Sequence, residues 1–162
     1  NLSARQFRDR NLAAIVRHCL EDSRLPPRLL KLEITESAVM ENAEQATAIL
    51  GELKALGVSL AVDDFGTGYS SLAYLRRFPL DQLKIDYSFV HGMLEHPDNA
   101  AIVQGIIGLA RSLRLQTVAE GVETVAQRDY LGNIGCDLMQ GYLFSRPLPP
   151  EELETLLMQN AP

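Results

Sequence analysis

The chain has 162 residues, of which 46% are hydrophobic, with a mean hydropathy of −0.03 and a net charge of −6 at pH 7. These values fit one ordinary soluble globular domain with a substantial core. They argue against a general DNA or RNA surface and against a membrane surface. No apolar run approaches the ~20 residues of a membrane span, and no secretion signal opens the chain.

The two cysteines, Cys19 and Cys136, fit no zinc spacing, and two lone thiols point to a reducing, cytoplasmic setting. Both read as small buried residues rather than ligands. His18, His91 and His96 form no i, i+4 metal pair and read as surface residues.

Leu12, Ile15, Val16, Cys19 and Leu20 recur at helical spacing, and Pro26-Pro27 prevent that helix from continuing. Residues 29–35 read as a strand, with Leu30, Leu32 and Ile34 on one face and Lys31 and Glu33 on the other. Asn42 and Gln45 have capping-box spacing and open a helix with Ala46, Ile49, Leu50, Leu53 and Leu56 inward, stopped by Gly57. The apolar run 58–62 reads as a strand that ends in the loop Asp63-Asp64-Phe65-Gly66-Thr67-Gly68-Tyr69-Ser70-Ser71. A helix from Leu72 follows and ends near Phe78-Pro79.

Residues 83–86 alternate like a strand. Asp98 or Asn99 is expected to cap the next helix, which carries Ile102, Val103, Ile106, Leu109, Ala110 and Leu113. A strand over 115–119 ends at Glu120-Gly121. Thr124 and Gln127 form a second capping-box candidate, for a helix closed by Gly135. Residues 136–140 are the last strand candidate. Pro149-Pro150 open a final helix with Leu153, Leu156 and Leu157 inward. This alternation is the pattern of βα units around a parallel sheet, with no linker or domain break.

Adjacent acids repel each other, so Asp63-Asp64 at a strand end suggest an offsetting cation. Glu33, Asp63, Asp64, Lys84, Asp86, Glu120 and Gln140 all lie at or near the C-terminal ends of strand candidates. In parallel α/β folds, and above all in (β/α)8 barrels, that rim carries the chemistry. Such a set of oxygen donors suits magnesium or manganese better than zinc. Taken singly, each residue also has a plain structural reading: Glu33 on the wet face of an edge strand, Lys84 and Asp86 on an amphipathic strand, Glu120 leading a turn, Gln140 capping a strand end, and Asp63-Asp64 as a solvated turn.

Together these residues resemble a known family. Glu33-Ile34-Thr35-Glu36, Asp63-Asp64-Phe65-Gly66-Thr67-Gly68-Tyr69-Ser70, Leu83-Lys84-Ile85-Asp86, Ala119-Glu120-Gly121-Val122-Glu123 and Gln140-Gly141-Tyr142 stand in the order seen in EAL domains. These are the bacterial phosphodiesterases that hydrolyse cyclic di-GMP to linear pGpG. The segment 1–7 resembles the family's asparagine strand. The resemblance implies a TIM-like (β/α)8 barrel of EAL type with two divalent ions, Mg2+ or Mn2+. Asn1, Glu33 and Asp63 would hold one ion; Asp63, Asp64 and Glu120 would hold the second, with Asp63 bridging. Lys84 would hydrogen-bond the attacking water, Glu120 is also a candidate general base, and Gln140 would orient the metal-water cluster. Asp86 and Glu123 would support the ligands from behind. Phe65, Gly66, Thr67, Gly68, Tyr69 and Ser70 would form a loop coupling the metal site to a homodimer interface, anchored by Glu36. Arg146 is a weaker candidate for substrate contact.

The family's namesake Glu-Ala-Leu does not occur here. The residues begin at what resembles the family's third strand, and a full barrel needs roughly 250 residues. Residues 1–162 are therefore expected to be a single EAL-type domain fragment lacking its N-terminal strands, with about five to six βα units. The parent is expected to be a cyclic di-GMP phosphodiesterase, cytoplasmic, with any membrane tether supplied by other domains, and the isolated fragment inactive. The rival expectations are a non-catalytic cyclic di-GMP receptor and a protein-interaction or dimerisation module.

Overall fold

A computed structural model describes residues 1–68 and 71–159. Residues 1–3 lie beside the first strand: Leu2 N donates to the Glu33 carbonyl (2.8 Å) and Leu2 bridges Ile34 in parallel. A Ser3–Gln6 capping box then opens α1 (Ala4–Phe7). In α2 (Leu12–Ser23) the buried stripe is Leu12, Ala13, Val16 and Leu20. Ile15 and Cys19, both expected inside, are exposed. The reason is Ala13, whose burial rotates the stripe away from them. The helix stops at Ser23 with Arg24 left-handed, and Pro27 opens a single 3-10 turn.

β1 (Lys31–Thr35) alternates as expected, with Leu32 and Ile34 buried. A short helix that the sequence pattern did not reveal, α3 (Glu36–Met40), follows at once. α4 (Ala43–Ala55) starts with the Asn42 side chain accepting from Gln45 N, but the Gln45 side chain bonds the Asn42 side chain and not its backbone, so half of the capping box forms. Gly57 ends the helix region at φ +88, a conformation open to glycine.

β2 (Ser59–Phe65) leads, past the loop, to α5 (Leu72–Leu75), β3 (Gln82–Ile85) and a further unexpected short helix, α6 (Tyr87–Gly92). α7 (Pro97–Leu113) is capped at His96, not at Asp98 or Asn99, because Pro97 fits the first helical turn, where its missing N–H costs nothing. β4 (Gln116–Ala119) is followed by α8 (Val125–Asn133), whose Thr124–Gln127 capping box is complete. β5 (Leu138–Met139) is shorter than expected, and α9 (Pro150–Gln159) ends the described chain.

The five strands run parallel in the order β1-β2-β3-β4-β5. Sequential neighbours all in one direction give the winding of a TIM-like barrel, here an open arc of it. Leu32, Ile34, Leu60, Val62, Leu83 and Ile85 are buried on the face covered by helices. The opposite face leaves Lys31, Gln116 and Leu138 exposed. Leu153 and Leu157 of α9, expected inward, are also exposed. The described sheet stops at β5, so α9 has no further strand to cover. No helix among the described residues is long and apolar enough to cross a membrane.

Candidate active site

A regular strand sends adjacent side chains to opposite faces, so Asp63 and Asp64 could not serve one site from a regular β2. The strand runs through both acids to Phe65, further than the sequence pattern indicated, and it is irregular there. Val62 pairs with Leu83 and Phe65 with Ile85, which leaves Asp63 and Asp64 together opposite Lys84. This is a β-bulge, a device that re-aims side chains at functional rims. Asp64 takes φ +55, a left-handed conformation that aspartate tolerates better than most residues. One carboxylate oxygen from each of Asp63, Asp64 and Glu120 then lies within 4.8 Å of the others.

Lys84 is 5% exposed, and its ammonium sits among the acids. Nζ is 2.7 Å from Glu33 Oε2, 2.9 Å from Asp63 Oδ1 and 2.7 Å from Glu120 Oε1. An ammonium has three N–H donors, and three carboxylates take them. Burial alone would lower the Lys84 pKa, but its hydrogen bonds to Glu120, Glu33 and Asp63 outweigh burial and hold it above the ordinary lysine value. Glu120 is pushed above the usual glutamate value by burial, against the pull of Lys84 and with the help of Asp63 and Glu33. Asp64 is raised by burial and then by the neighbouring charges of Asp63 and Asp86.

Glu120 is held from several sides. Gln140 Nε2 donates to Glu120 Oε1 at 2.7 Å, and Glu120 N donates to the Ile85 carbonyl at 3.2 Å. The next loop is clamped to the β5 exit by Val122 N to Gln140 O (3.0 Å) and Leu143 N to Val122 O (3.0 Å). Only glycine fits at 141, because a Cβ there would meet the Val122 backbone at 2.3 Å. Register also places Asn1 beside Glu33, one residue before the Leu2–Ile34 bridge.

The remaining sequence candidates take other positions. Asp86 caps α6, accepting from Ser88 N at 2.9 Å and from the Ser88 hydroxyl. Buried Glu36 accepts from Gly66 N (2.8 Å) and Gly68 N (3.3 Å), tying down the loop after β2. Phe65 belongs to the strand and the core, not to the loop. The Thr67 hydroxyl donates to the Asp64 carbonyl at 2.8 Å. Tyr69 and Ser70 lie outside the described residues. Glu123 and Arg146 do not join the charges around Lys84. They line an adjoining cavity of about 720 Å3 that shares Gln140 with the site, and the Arg146 guanidinium lies 4.7 Å from the centre of the Tyr142 ring.

The sequence pattern marked Gln127 as half of a capping box but showed neither its reach to α6 nor any role for Tyr87. Tyr87 packs on Gly121, and Gln127 joins α6 to the loop after β4. Both contacts span more than thirty residues, and no local pattern encodes them.

Residues 1–147 match the family model of the EAL domain. The chain is 54% identical over 142 residues to the cyclic di-GMP phosphodiesterase NbdA of Pseudomonas aeruginosa, covering 88% of this chain and 18% of that protein. It is 49% identical over 153 residues to MucR of the same organism, a bifunctional diguanylate cyclase/cyclic di-GMP phosphodiesterase, covering 94% of this chain and 22% of MucR. The solved PaMucR phosphodiesterase, a c-di-GMP complex, superposes with a TM-score of 0.93 at 49% identity over 94% of this chain and 62% of that one. The chain thus spans about a fifth of the length of these curated relatives. Family match, backbone superposition and the order of the rim residues agree, and this chain belongs to the EAL domain family.

Proposed function

We propose that this chain carries most of a metal-dependent site that hydrolyses cyclic di-GMP to linear pGpG. The observation that supports it best is the convergence of Glu33, Asp63, Asp64 and Glu120 on one rim, with Lys84 between them. The donor set fits the family's metal requirement: oxygen ligands in a crowded anionic cluster suit magnesium or manganese, and no histidine or cysteine competes. In this reading Asn1, Glu33 and Asp63 would hold one ion, and Asp63, Asp64 and Glu120 would hold the other. Such ions, when bound, supply Lewis acidity to the phosphoryl group and acidify water near neutral pH.

The chain's own residues supply the rest. Lys84 exchanges carboxylate partners for the attacking water, which it holds by a hydrogen bond in line with the scissile phosphate. Lys84 and Gln140 both bond Glu120 at Oε1, which leaves Oε2 for a cation or for accepting the water's proton. Asp86 supports Lys84 by fixing the start of α6, and Glu123 and Arg146 face substrate from the adjoining cavity. The segment 66–68, held by Glu36, couples the site to a homodimer contact. Further strands complete the inward face of the open arc, and the protein works in the cytoplasm.

The test is pGpG release from cyclic di-GMP by the intact protein, with magnesium or manganese and with chelator. Metal-dependent release is the expected result. Ligand binding without release would make the site a receptor, and neither binding nor release would leave the domain an interaction module.

A further inference from the structure

Glu120 is the one member of the carboxylate cluster carried by a loop and not by a strand. Its position depends on what braces residues 120–124, and two contacts with α6 do so. The Tyr87 ring covers Gly121: a Cβ built on Gly121 would come 2.1 Å from Tyr87 Cδ2, and Gly121 itself sits at φ +66. The Tyr87 hydroxyl and His91 Nδ1 also share an exposed 3.0 Å hydrogen bond one turn along α6, separate from the ring contact with Gly121.

The second contact is Gln127, buried at 5% exposure. Its Oε1 accepts from Glu123 N (2.8 Å) and Thr124 N (3.0 Å). Its Nε2 reaches the Val90 and His91 carbonyls at 3.4 and 3.5 Å, two of the acceptors that a helix C-terminus leaves open. One side chain therefore joins the end of α6 to the start of α8. The N-terminus of α6 is fixed in turn by Asp86, directly after β3, which carries Lys84. α6 thus links the strand that carries the lysine to the loop that carries the glutamate.

We propose that α6 is a strut for this site, and that Tyr87 and Gln127 are positioning residues that hold Glu120 against Lys84. The consequence for chemistry rests on the hydrolytic reading given above; the bracing itself does not. Tyr87 acts through ring contact with Gly121, so phenylalanine should replace it and alanine should not. Loss of the ring lets the turn drift, and a ligand displaced by a fraction of an ångström loses transition-state stabilisation more than substrate affinity.

The experiment compares Tyr87→Ala, Tyr87→Phe and Gln127→Ala with the parent in the intact protein, by amide hydrogen exchange, by Mn2+ titration followed by electron paramagnetic resonance, and by turnover. Tyr87→Ala should speed exchange at 121–124 by about tenfold or more, with the amides of β1 unchanged. It should also weaken Mn2+ binding several-fold and lower kcat by about tenfold, while Tyr87→Phe restores exchange, Mn2+ binding and kcat; Tyr87 lines the adjoining cavity, so the test of kcat loss with little change in KM falls to Gln127, which does not. Gln127→Ala should act in the same direction. Unchanged exchange at 121–124 in Tyr87→Ala overturns the strut, whether or not the protein is a hydrolase. Faster exchange with unchanged Mn2+ affinity and turnover overturns the positioning role. A parent that neither binds Mn2+ nor releases pGpG refutes the hydrolytic reading, and with it the positioning role, while the exchange data still decide the strut.

Discussion

The two ends of the sheet use the same residue types to opposite effect. At the N-terminal ends of the strands each acid is outnumbered by donors. Asp81 accepts from Leu60 N at 2.8 Å and from Lys54 Nζ at 2.6 Å, and Asp137 accepts from Thr117 N and Oγ1, both at 2.8 Å. At the C-terminal ends the balance reverses: Glu33, Asp63 and Glu120 share one ammonium, and Asp64 stands beside them in a left-handed conformation. The lower acids staple neighbouring strands. The upper acids concentrate negative charge where a cation can offset it, so the same chemistry stabilises one end and equips the other.

The largest effect should come from Asp63→Asn. It removes a charge on which Lys84 and the proposed metal both depend, and should lower turnover by at least about a hundredfold with the fold intact by circular dichroism. Wild-type turnover at limiting metal would remove Asp63 from the ligand set. Lys84→Ala should lower kcat by about a hundredfold with KM within about threefold, because its role lies mainly in the transition state. A raised KM with unchanged kcat would make it a substrate contact.

At the lower end the readout changes. Asp81→Ala strands the Leu60 amide and Lys54, and should cost about 2 kcal/mol of stability by denaturant unfolding. Turnover per folded molecule should stay within about twofold of wild type. A loss of turnover beyond the unfolded fraction would mean that the two ends are not separate in function.

The pH dependence of stability sharpens the contrast. Burial and like charge raise the pKa values of Glu120 and Asp64 in the folded state. A raised folded value favours the protonated native state, so this contribution is full below the ordinary carboxylate values of 4.5 and 3.8 and is lost as pH rises through the folded values. The Lys84 contribution is lost only on the far alkaline side, above the ordinary value of 10.5. Metal-free Asp64→Asn should therefore gain stability relative to wild type as pH rises from about 4 to 7. A difference in melting temperature that does not change with pH would show that Asp64 is not crowded.

Much of this was legible in the sequence. The alternation of Leu32 and Ile34 with Lys31 and Glu33 marked β1 and its two faces, and the Thr124–Gln127 spacing marked the start of α8. Asp63-Asp64 and Glu120 were legible because they follow apolar strand runs, and Glu33 because it alternates with Leu32 and Ile34. The bulge at Asp63-Asp64 was not, since it depends on the register against β3, a property of two strands. The contacts of Tyr87 with Gly121 and of Gln127 with α6 are likewise tertiary. The inward face expected for α9 failed because periodicity reports a stripe and not whether a surface exists to cover it.

A Mn2+ titration of the intact protein, read by electron paramagnetic resonance for wild type, Asp63→Asn and Asp81→Ala side by side, tests the metal centre most directly. Wild type and Asp81→Ala should bind Mn2+ alike, approaching about two ions per chain as in two-metal phosphoryl-transfer sites, and Asp63→Asn should lose most of that binding. Equal Mn2+ binding by wild type and Asp63→Asn would contradict the assignment of the upper carboxylates as a metal centre.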